Sequence, residues 1–331
     1  MRPKTTSEQA GCWGERALSR RALLGAALAI GCKRTEPPSA ARTVPSGTPA
    51  VASAAPPNRL PAEELTWDFP RSDAGRMSVV VLLPERSPEQ RFPVLIAMHG
   101  RGETLKGPTR GARGWVDDYA VGHVIERLHR PPLTLEDFQR FVARERLARW
   151  NEALAAHPYE GLVLVCPYTP DLLRGDEPFT GAPPLARFLV DTLIPKIYAE
   201  TPAIGTPATT GVDGVSLGGR AAISVGLLRP EAFGAVATLQ AALDPRNASE
   251  VVVRAKRARE KNPKLRLRFV TSTEDYYLPA LRTIAGALRS ADVSHEFLVV
   301  PGPHDYVFNR GPGAIEMLAY HDRVLRGREP V

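Results

Sequence analysis

The chain has 331 residues, of which 43% are apolar and 24% are charged, and these ordinary globular values exclude a fibrous or wholly disordered protein. The formal charge is +7, but residues 1–31 carry five Arg or Lys and two Glu, so only about +4 remains on the rest. The densest basic run, residues 254–268, has no interleaved aromatic side chains on which bases could stack. We therefore expect no nucleic-acid partner.

Residues 1–32 predict an export signal. A basic segment ends at Arg20-Arg21, and an apolar stretch over residues 22–30 leads to Gly31-Cys32. This stretch is far shorter than the ~20 residues of a membrane-spanning helix. The paired arginines with Leu-Leu resemble a twin-arginine export signal, and residues 29–32 resemble a bacterial lipobox. The resemblance implies an exported protein of the bacterial cell envelope, held at the membrane by a lipid on Cys32; the alternative is a simple signal or an uncleaved anchor.

Residues 33–61 are rich in Pro, Ala, Ser and Thr, which predicts a disordered tether between the anchor and a folded domain. Cys12 would be removed with the signal and Cys32 acylated, so Cys166 would be the single remaining thiol. We therefore expect no intrachain disulfide. The apolar run around Cys166 indicates a small buried residue.

From residue 62 to residue 331, short apolar runs alternate with helical stretches, which predicts one catalytic domain. Predicted strands are residues 78–83, 94–98, 162–166, 209–215, 234–239, 267–271 and 296–300, and predicted helices are 186–199, 218–228, 248–261, 279–289 and 314–325. Because the runs are continuously apolar, helices should cover both faces of the sheet. We predict an α/β fold with a doubly wound, mostly parallel sheet that binds ligands beyond the strands' carboxyl ends.

Residues 101–160 interrupt this alternation, because roughly 60 residues separate two predicted strands where short connections are usual. The segment contains a predicted helix that begins at Thr134, with Asp137 as its capping partner. Since it leaves the carboxyl end of a strand, it is placed to form a lid that shapes substrate choice rather than the chemical step. A peripheral insertion packed at the sheet edge is the alternative.

The sequence Gly214-Val215-Ser216-Leu217-Gly218 lies between a predicted strand and a predicted helix. Gly-x-Ser-x-Gly in this setting predicts a nucleophile elbow, in which the serine occupies a strained turn and the glycines let strand and helix approach closely. The Ser216 hydroxyl would then lie at a helix N-terminus, where the Leu217 N–H can face developing negative charge.

A serine nucleophile needs a base and an orienting acid from elsewhere in the chain. His304 lies in a Gly/Pro-rich loop just past the last predicted strand and is the predicted base, whereas His295 and His321 lie within predicted elements. Asp275, which follows the preceding strand, is the predicted acid. Glu274 and Asp244 are the alternatives, and Asp305 is too close to His304 in sequence to reach its ring.

A second oxyanion donor is predicted in the glycine turn His99-Gly100-Arg101-Gly102 at the end of a strand. The Arg101 N–H is the preferred donor and the Gly100 N–H is the alternative. We interpret His99 as a structural residue of this turn.

The glycine turn at 99–102, the elbow at 214–219, Asp275 and His304 together resemble the α/β-hydrolase superfamily, most closely its esterase and carboxylesterase branch. This branch includes feruloyl and acetylxylan esterases, siderophore esterases and polyester depolymerases. The resemblance spans about residues 77–325 and implies the α/β-hydrolase fold. The shared motifs are specific for the fold and the mechanism, but they say little about which substrate is cleaved.

The residues and the resemblance agree on a serine hydrolase that cleaves carboxylic esters, small or polymer-linked, through an acyl-enzyme at Ser216. No metal or organic cofactor is implied. Four aromatic residues could line a substrate pocket or pack in the core: Trp115, Tyr119, Tyr276 and Tyr277. The alternatives are a serine peptidase of the same fold and a non-catalytic binding protein of the envelope.

Overall fold

The seven apolar runs and one further strand form an eight-stranded sheet in the computed structural model, which describes residues 63–172 and 179–331. The strands are β1 Glu63–Phe69, β2 Met77–Leu83, β3 Val94–Met98, β4 Val163–Pro167, β5 Thr210–Gly214, β6 Ala235–Leu239, β7 Arg266–Glu274 and β8 Glu296–Pro303. The predictions for residues 1–61, namely the export signal, the Cys32 anchor and the tether, lie outside the described residues.

The sheet order is β1-β2-β4-β3-β5-β6-β7-β8, and every pairing from β4 to β8 is parallel. Only β2 pairs antiparallel with β1 and β4. The predicted α/β fold with a mostly parallel sheet is therefore confirmed. Strand β1 was missed because its residues alternate between exposed and half-buried positions, as expected of an edge strand, instead of forming an apolar run.

Helices cover both faces of this sheet. They are α1 Arg101–Thr104, α2 Pro108–Gly111, α3 Val121–Leu128, α4 Arg144–Ala156, α5 Ala182–Arg187, α6 Ile194–Glu200, α7 Leu217–Leu228, α8 Ala248–Lys261, α9 Leu278–Ser290, α10 Tyr306–Phe308 and α11 Ala314–Val324. A π-helical stretch, Phe188–Leu193, joins α5 to α6, and a π-helical turn, Gly114–Asp118, precedes α3. No helix within the described residues is long and apolar enough to cross a bilayer.

Each central strand contributes side chains to two cores, one on each face. In β2, Val79 and Val81 pack in the core that includes α5 to α9, whereas Val80 and Leu82 pack in the core that includes α3, α4 and α11. Successive side chains of a strand point to opposite faces, so two covered faces require a continuous apolar run. This is the physical reason why the sequence pattern located these strands.

The segment 101–160 is largely a packed layer on the second of these cores. Trp115, Phe138 and Trp150 are all at most 1% exposed. The helix expected from Thr134 is wrong in its start, because α4 begins at Arg144. Asp137 does accept a hydrogen bond from the Thr134 N–H (2.7 Å), but positive φ angles at residues 139 and 140 prevent a helix from continuing.

Candidate active site

Ser216 lies in the sharp turn between β5 and α7, with φ 56° and ψ −113°, a backbone conformation that is strained for a residue with a side chain. The flanking glycines make this turn possible. A Cβ added to Gly218 would lie 2.2 Å from the Met98 carbonyl oxygen, and one on Gly214 would lie 2.5 Å from the backbone of Gly218. The turn therefore presents Ser216 at the carboxyl edge of the sheet and at the N-terminus of α7.

His304 bridges Ser216 and Asp275 by hydrogen bonds. Its Nε2 lies 3.1 Å from the Ser216 Oγ, and its Nδ1 lies 2.8 Å from the Asp275 Oδ1. A carboxylate only accepts hydrogen bonds, so His304 Nδ1 carries the proton that is donated to Asp275. The other ring nitrogen, Nε2, is then free to accept the proton of the Ser216 hydroxyl. The geometry is that of a nucleophile, a base and an orienting acid, although the catalytic roles stay a prediction.

The Asp275 carboxylate is held in place from two further directions. Its Oδ2 accepts a hydrogen bond from the Thr271 hydroxyl (2.5 Å), and its Oδ1 also accepts one from the Tyr277 N–H (2.9 Å). Gln240, which follows β6, donates from its Nε2 to the Ser272 hydroxyl and to the Pro303 carbonyl. These contacts tie the ends of β6, β7 and β8 together immediately beside His304.

The other candidate acids point elsewhere. Asp244 pairs with Arg246 and caps a short 3₁₀ turn, and Glu274 is exposed at the end of β7. Asp305 accepts bonds from the N–H groups that open α10. The sequence proposed Asp275 as the acid, with Glu274 and Asp244 as alternatives. Of these three, only Asp275 has a hydrogen bond to His304 in the described residues.

The other two histidines considered as bases have partners other than Ser216. The Nδ1 of His295 bonds the Val293 carbonyl, and the Nε2 of His321 lies 3.1 Å from the buried Asp213 carboxylate. Both rings are therefore engaged in local structural contacts.

The glycine turn lies against Ser216, since a Cβ on Gly100 would be 3.9 Å from the Ser216 Cβ. The alternative donor, Gly100, is already engaged, because its N–H donates to the Tyr119 hydroxyl at 3.0 Å. Arg101 N–H opens α1 and Leu217 N–H opens α7, so neither can donate to a preceding turn of its own helix. The Gly100 N–H thus has a partner other than a substrate, and Arg101 with Leu217 stays the predicted donor pair.

His99 is structural, as expected. Its Nδ1 bonds the Gly100 carbonyl (2.8 Å), and its Nε2 accepts from the Thr169 N–H (2.9 Å). Burial lowers the pKa of His99 to about 4, against the opposing effect of the Gly100 carbonyl and the Glu103 carboxylate. The ring is therefore neutral and anchors the turn.

The four aromatic residues named from the sequence separate into two groups. Trp115 is fully buried and packs edge-to-face on Tyr119, which is 2% exposed, so these two belong to the core rather than to a pocket wall. Tyr276 is 66% exposed, with its ring centroid 4.3 Å from that of His304, and Tyr277 is half-buried at 5.6 Å. Burial, followed by the Asp275 charge, raises the pKa of Tyr276.

Comparison with known proteins adds information on the fold. No protein-family model and no curated protein sequence matches this chain. Among solved structures, it is similar to a ferulic acid esterase at 19% identity and TM-score 0.58, over 79% of this chain and 98% of that chain. It is also similar to FphF, a fluorophosphonate-binding serine hydrolase of Staphylococcus aureus, at 12% identity and TM-score 0.56, over 80% and 99% of the two chains.

A third similar structure is a mutant of the feruloyl esterase module of Clostridium thermocellum in complex with sinapinate, at 15% identity and TM-score 0.54, over 83% and 91% of the two chains. At such identities the likeness concerns the fold alone. Together with the parallel sheet and the serine elbow, it shows that this chain has the α/β-hydrolase fold.

Proposed function

We propose that this protein is a serine hydrolase that cleaves carboxylic esters. The observation that carries the proposal is the hydrogen-bonded series Ser216–His304–Asp275 at the carboxyl edge of the sheet. Three features found together support it: the strained serine turn, the N-terminus of α7 behind it, and the buried carboxylate behind the imidazole. A structural serine would need none of them.

The geometry supports acyl transfer in two halves. His304 Nε2 takes the Ser216 proton as Oγ attacks the ester carbonyl, and Asp275 stabilises the imidazolium that forms. The Leu217 and Arg101 N–H groups would hold the oxyanion. His304 then donates its proton to the departing alcohol. A water molecule, deprotonated by the same imidazole, attacks the acyl-enzyme and releases the acid, which restores Ser216.

The substrate belongs to the class of small or polymer-linked carboxylic esters. The similar structures support this class, because two of the three are called ferulic or feruloyl esterases. Tyr276 and Tyr277 flank His304 and are the candidate contacts for the substrate. A peptidase would use the same three residues, so a panel of p-nitrophenyl esters and peptide anilides separates the two activities.

Substitution of the three residues tests the proposal. Ser216→Ala and His304→Ala should each lower ester hydrolysis on the order of 10⁴–10⁶-fold, and the double variant should be little worse because the two act as a unit. Asp275→Asn should also lose most activity, because the amide cannot hold the required tautomer.

The matched controls are Glu274→Gln and Asp244→Asn, which remove neighbouring carboxylates that do not touch His304. Both should retain most activity, measured as steady-state p-nitrophenyl acetate hydrolysis, with circular dichroism to confirm folding. Near-normal turnover of Ser216→Ala would reject the serine-hydrolase proposal. If a fluorophosphonate probe fails to label the folded wild type, the non-catalytic alternative gains support instead.

A further inference from the structure

A buried carboxylate that the proposed triad does not use lies beside the glycine turn. Glu103, in α1, is 1% exposed, and two tyrosine hydroxyls donate to it. The Tyr306 hydroxyl lies 2.7 Å from its Oε1, and the Tyr119 hydroxyl bonds its Oε2. Lys106 Nζ, 3.8 Å from Oε1, supplies a partly exposed positive charge. Glu103 therefore organises two aromatic residues at the edge of the site.

The hydroxyl groups of Tyr119 and Tyr306 both donate their protons in hydrogen bonds to Glu103. Burial, followed by the Glu103 charge, raises the pKa of Tyr119 well above its ordinary value. Burial and the hydrogen bond to Glu103 raise the pKa of Tyr306 to about 12. Both phenols stay protonated at neutral pH, so the Tyr119 oxygen has only lone pairs to offer its other neighbour, which is the Gly100 N–H.

The carbonyl of Gly100 is fixed as well. It accepts hydrogen bonds from His99 Nδ1 at 2.8 Å and from the Thr104 N–H and hydroxyl at 3.4 and 3.3 Å. The Thr169 N–H occupies the other ring nitrogen of His99, so the proton of this neutral ring lies on Nδ1. Both polar groups of Gly100 thus have buried partners.

The orientation of the next amide follows from peptide geometry. The Gly100–Arg101 peptide is planar and trans, so the Arg101 N–H points opposite to the Gly100 carbonyl. Because that carbonyl faces His99 and Thr104 in the interior, the Arg101 N–H is turned away from them. We infer that Glu103 and Tyr119 are positioning residues that clamp the glycine turn and hold the Arg101 N–H as an oxyanion donor for Ser216.

This inference rests on the proposed function and adds two positioning residues to it. Without the Tyr119 hydroxyl, the Gly100 N–H would be buried without a partner and the turn could relax. The interaction with the oxyanion exists only in the transition state, so loosening its donor should lower kcat and leave KM nearly unchanged. Removing an oxyanion donor outright costs about 10²–10³ in kcat, and a misplaced donor should cost less.

Tyr119→Phe tests the clamp, because phenylalanine keeps the packing on Trp115 and removes only the hydroxyl. We expect kcat for p-nitrophenyl acetate to fall about 10- to 100-fold, with KM within about twofold. The inhibition constant of a trifluoromethyl ketone, whose adduct with Ser216 carries the oxyanion, should rise by a similar factor. The matched control is Tyr306→Phe, which removes a hydroxyl from the same carboxylate but does not contact Gly100, and it should lower kcat less than about threefold.

Residue-resolved amide hydrogen exchange on the wild-type protein tests the assignment without any substitution. Formation of the trifluoromethyl ketone adduct should protect the Arg101 amide and leave the Gly100 amide, already bonded to Tyr119, unchanged. Protection of Gly100 instead of Arg101 would overturn the inference. So would a Tyr119→Phe enzyme with normal kcat, or equal losses in the two tyrosine variants.

These outcomes differ from a failure of the proposed function. If the wild type has no Ser216-dependent esterase or amidase activity, the serine-hydrolase proposal is rejected, and the inference that rests on it is rejected with it. If Ser216-dependent hydrolysis is present and Tyr119→Phe is unaffected, only the clamp is rejected.

Discussion

His99 and His304 both lie at the carboxyl edge of the sheet, but their surroundings suit them to different tasks. The His304 side chain is 11% exposed and contacts a hydroxyl and a carboxylate, which suits the proposed role of a base. His99 is 1% exposed, and both of its ring nitrogens bond to backbone groups. For His99, burial outweighs the opposing charge of the Glu103 carboxylate and favours the neutral ring, which suits a structural role.

The low pKa of His99 predicts a loss of stability in mild acid. Its pKa of about 4 in the folded protein lies below the ordinary value of 6.5, so the unfolded chain binds this proton more readily. Its contribution to the free energy of unfolding is therefore complete above pH 6.5 and is lost as the pH falls from 6.5 to 4. The loss over this window should be on the order of 3 kcal/mol.

His99→Gln provides the comparison, because glutamine can offer the same donor and acceptor but does not titrate. We expect urea unfolding at a series of pH values to show a clearly smaller loss of stability between pH 6.5 and 4 in this variant than in the wild type. Carboxylates and other histidines contribute equally to both proteins and cancel in the difference. Parallel stability profiles would show that His99 does not carry the effect.

At the scale of elements, two helix-interior glycines have opposite reasons to be present. A Cβ on Gly226, in α7, would lie 2.4 Å from a methyl group of Val236 in β6, so glycine allows this helix to lie close to the sheet. A Cβ on Gly286, in α9, would meet nothing within 4 Å. Packing against the sheet therefore requires glycine at position 226 but not at position 286.

Alanine should therefore change stability in opposite directions at these positions. Gly286→Ala should stabilise the protein by about 0.5–1 kcal/mol, because alanine loses less backbone entropy in a helix. Gly226→Ala should destabilise it by roughly 1–3 kcal/mol, because the buried Val236 cannot move freely. Urea unfolding of both variants measures the two effects, and changes of the same sign would contradict this account of α7.

The segment 101–160 is attached to the rest of the molecule by buried charges. Arg146 in α4 forms a two-pronged ion pair with Glu316 in α11, at 2.6 and 2.8 Å, and Arg268 in β7 donates to the same carboxylate. Trp150 donates to it too. The Arg146 and Arg268 charges hold the pKa of Glu316 at about 2 despite its burial. Control of substrate choice by this segment stays a prediction.

At the scale of the whole molecule, the sequence predicts a lipid anchor at Cys32. In a bacterial host that processes lipoproteins, we expect the protein in the membrane fraction, with mass spectrometry showing an acylated Cys32 at the mature N-terminus. Cys32→Ser should move it to the soluble fraction. Cys12→Ser is the matched control and should have no effect, since this residue would be removed with the signal.

An intact N-terminus, or membrane association that persists in Cys32→Ser, would reject the anchor. Cys166 does not complicate this experiment, because it is a buried free thiol and burial raises its pKa. Thiol labelling of the native, processed protein should therefore be slow.

The sequence by itself determined most of the sheet and the nucleophile turn of this protein. Strand positions followed from local composition because both faces of the sheet are covered, and the Ser216 turn depends on glycines within two residues of it. The edge strand β1 was not predicted, because its partial exposure leaves no apolar run. The start of α4 was placed too early, because the positive φ angles at residues 139 and 140 leave no mark in the sequence.

Only the tertiary structure decided which side chains meet. His304 lies 88 residues from Ser216 and 29 from Asp275 along the chain, and the sheet order brings their loops to one edge. The same folding joins Tyr119 to Glu103 and Gly100, two residues that lie 16 and 19 positions from it along the chain. Hydrogen bonds act over about 3 Å, so partners far apart in sequence are chosen by the packing of the whole chain and not by local pattern.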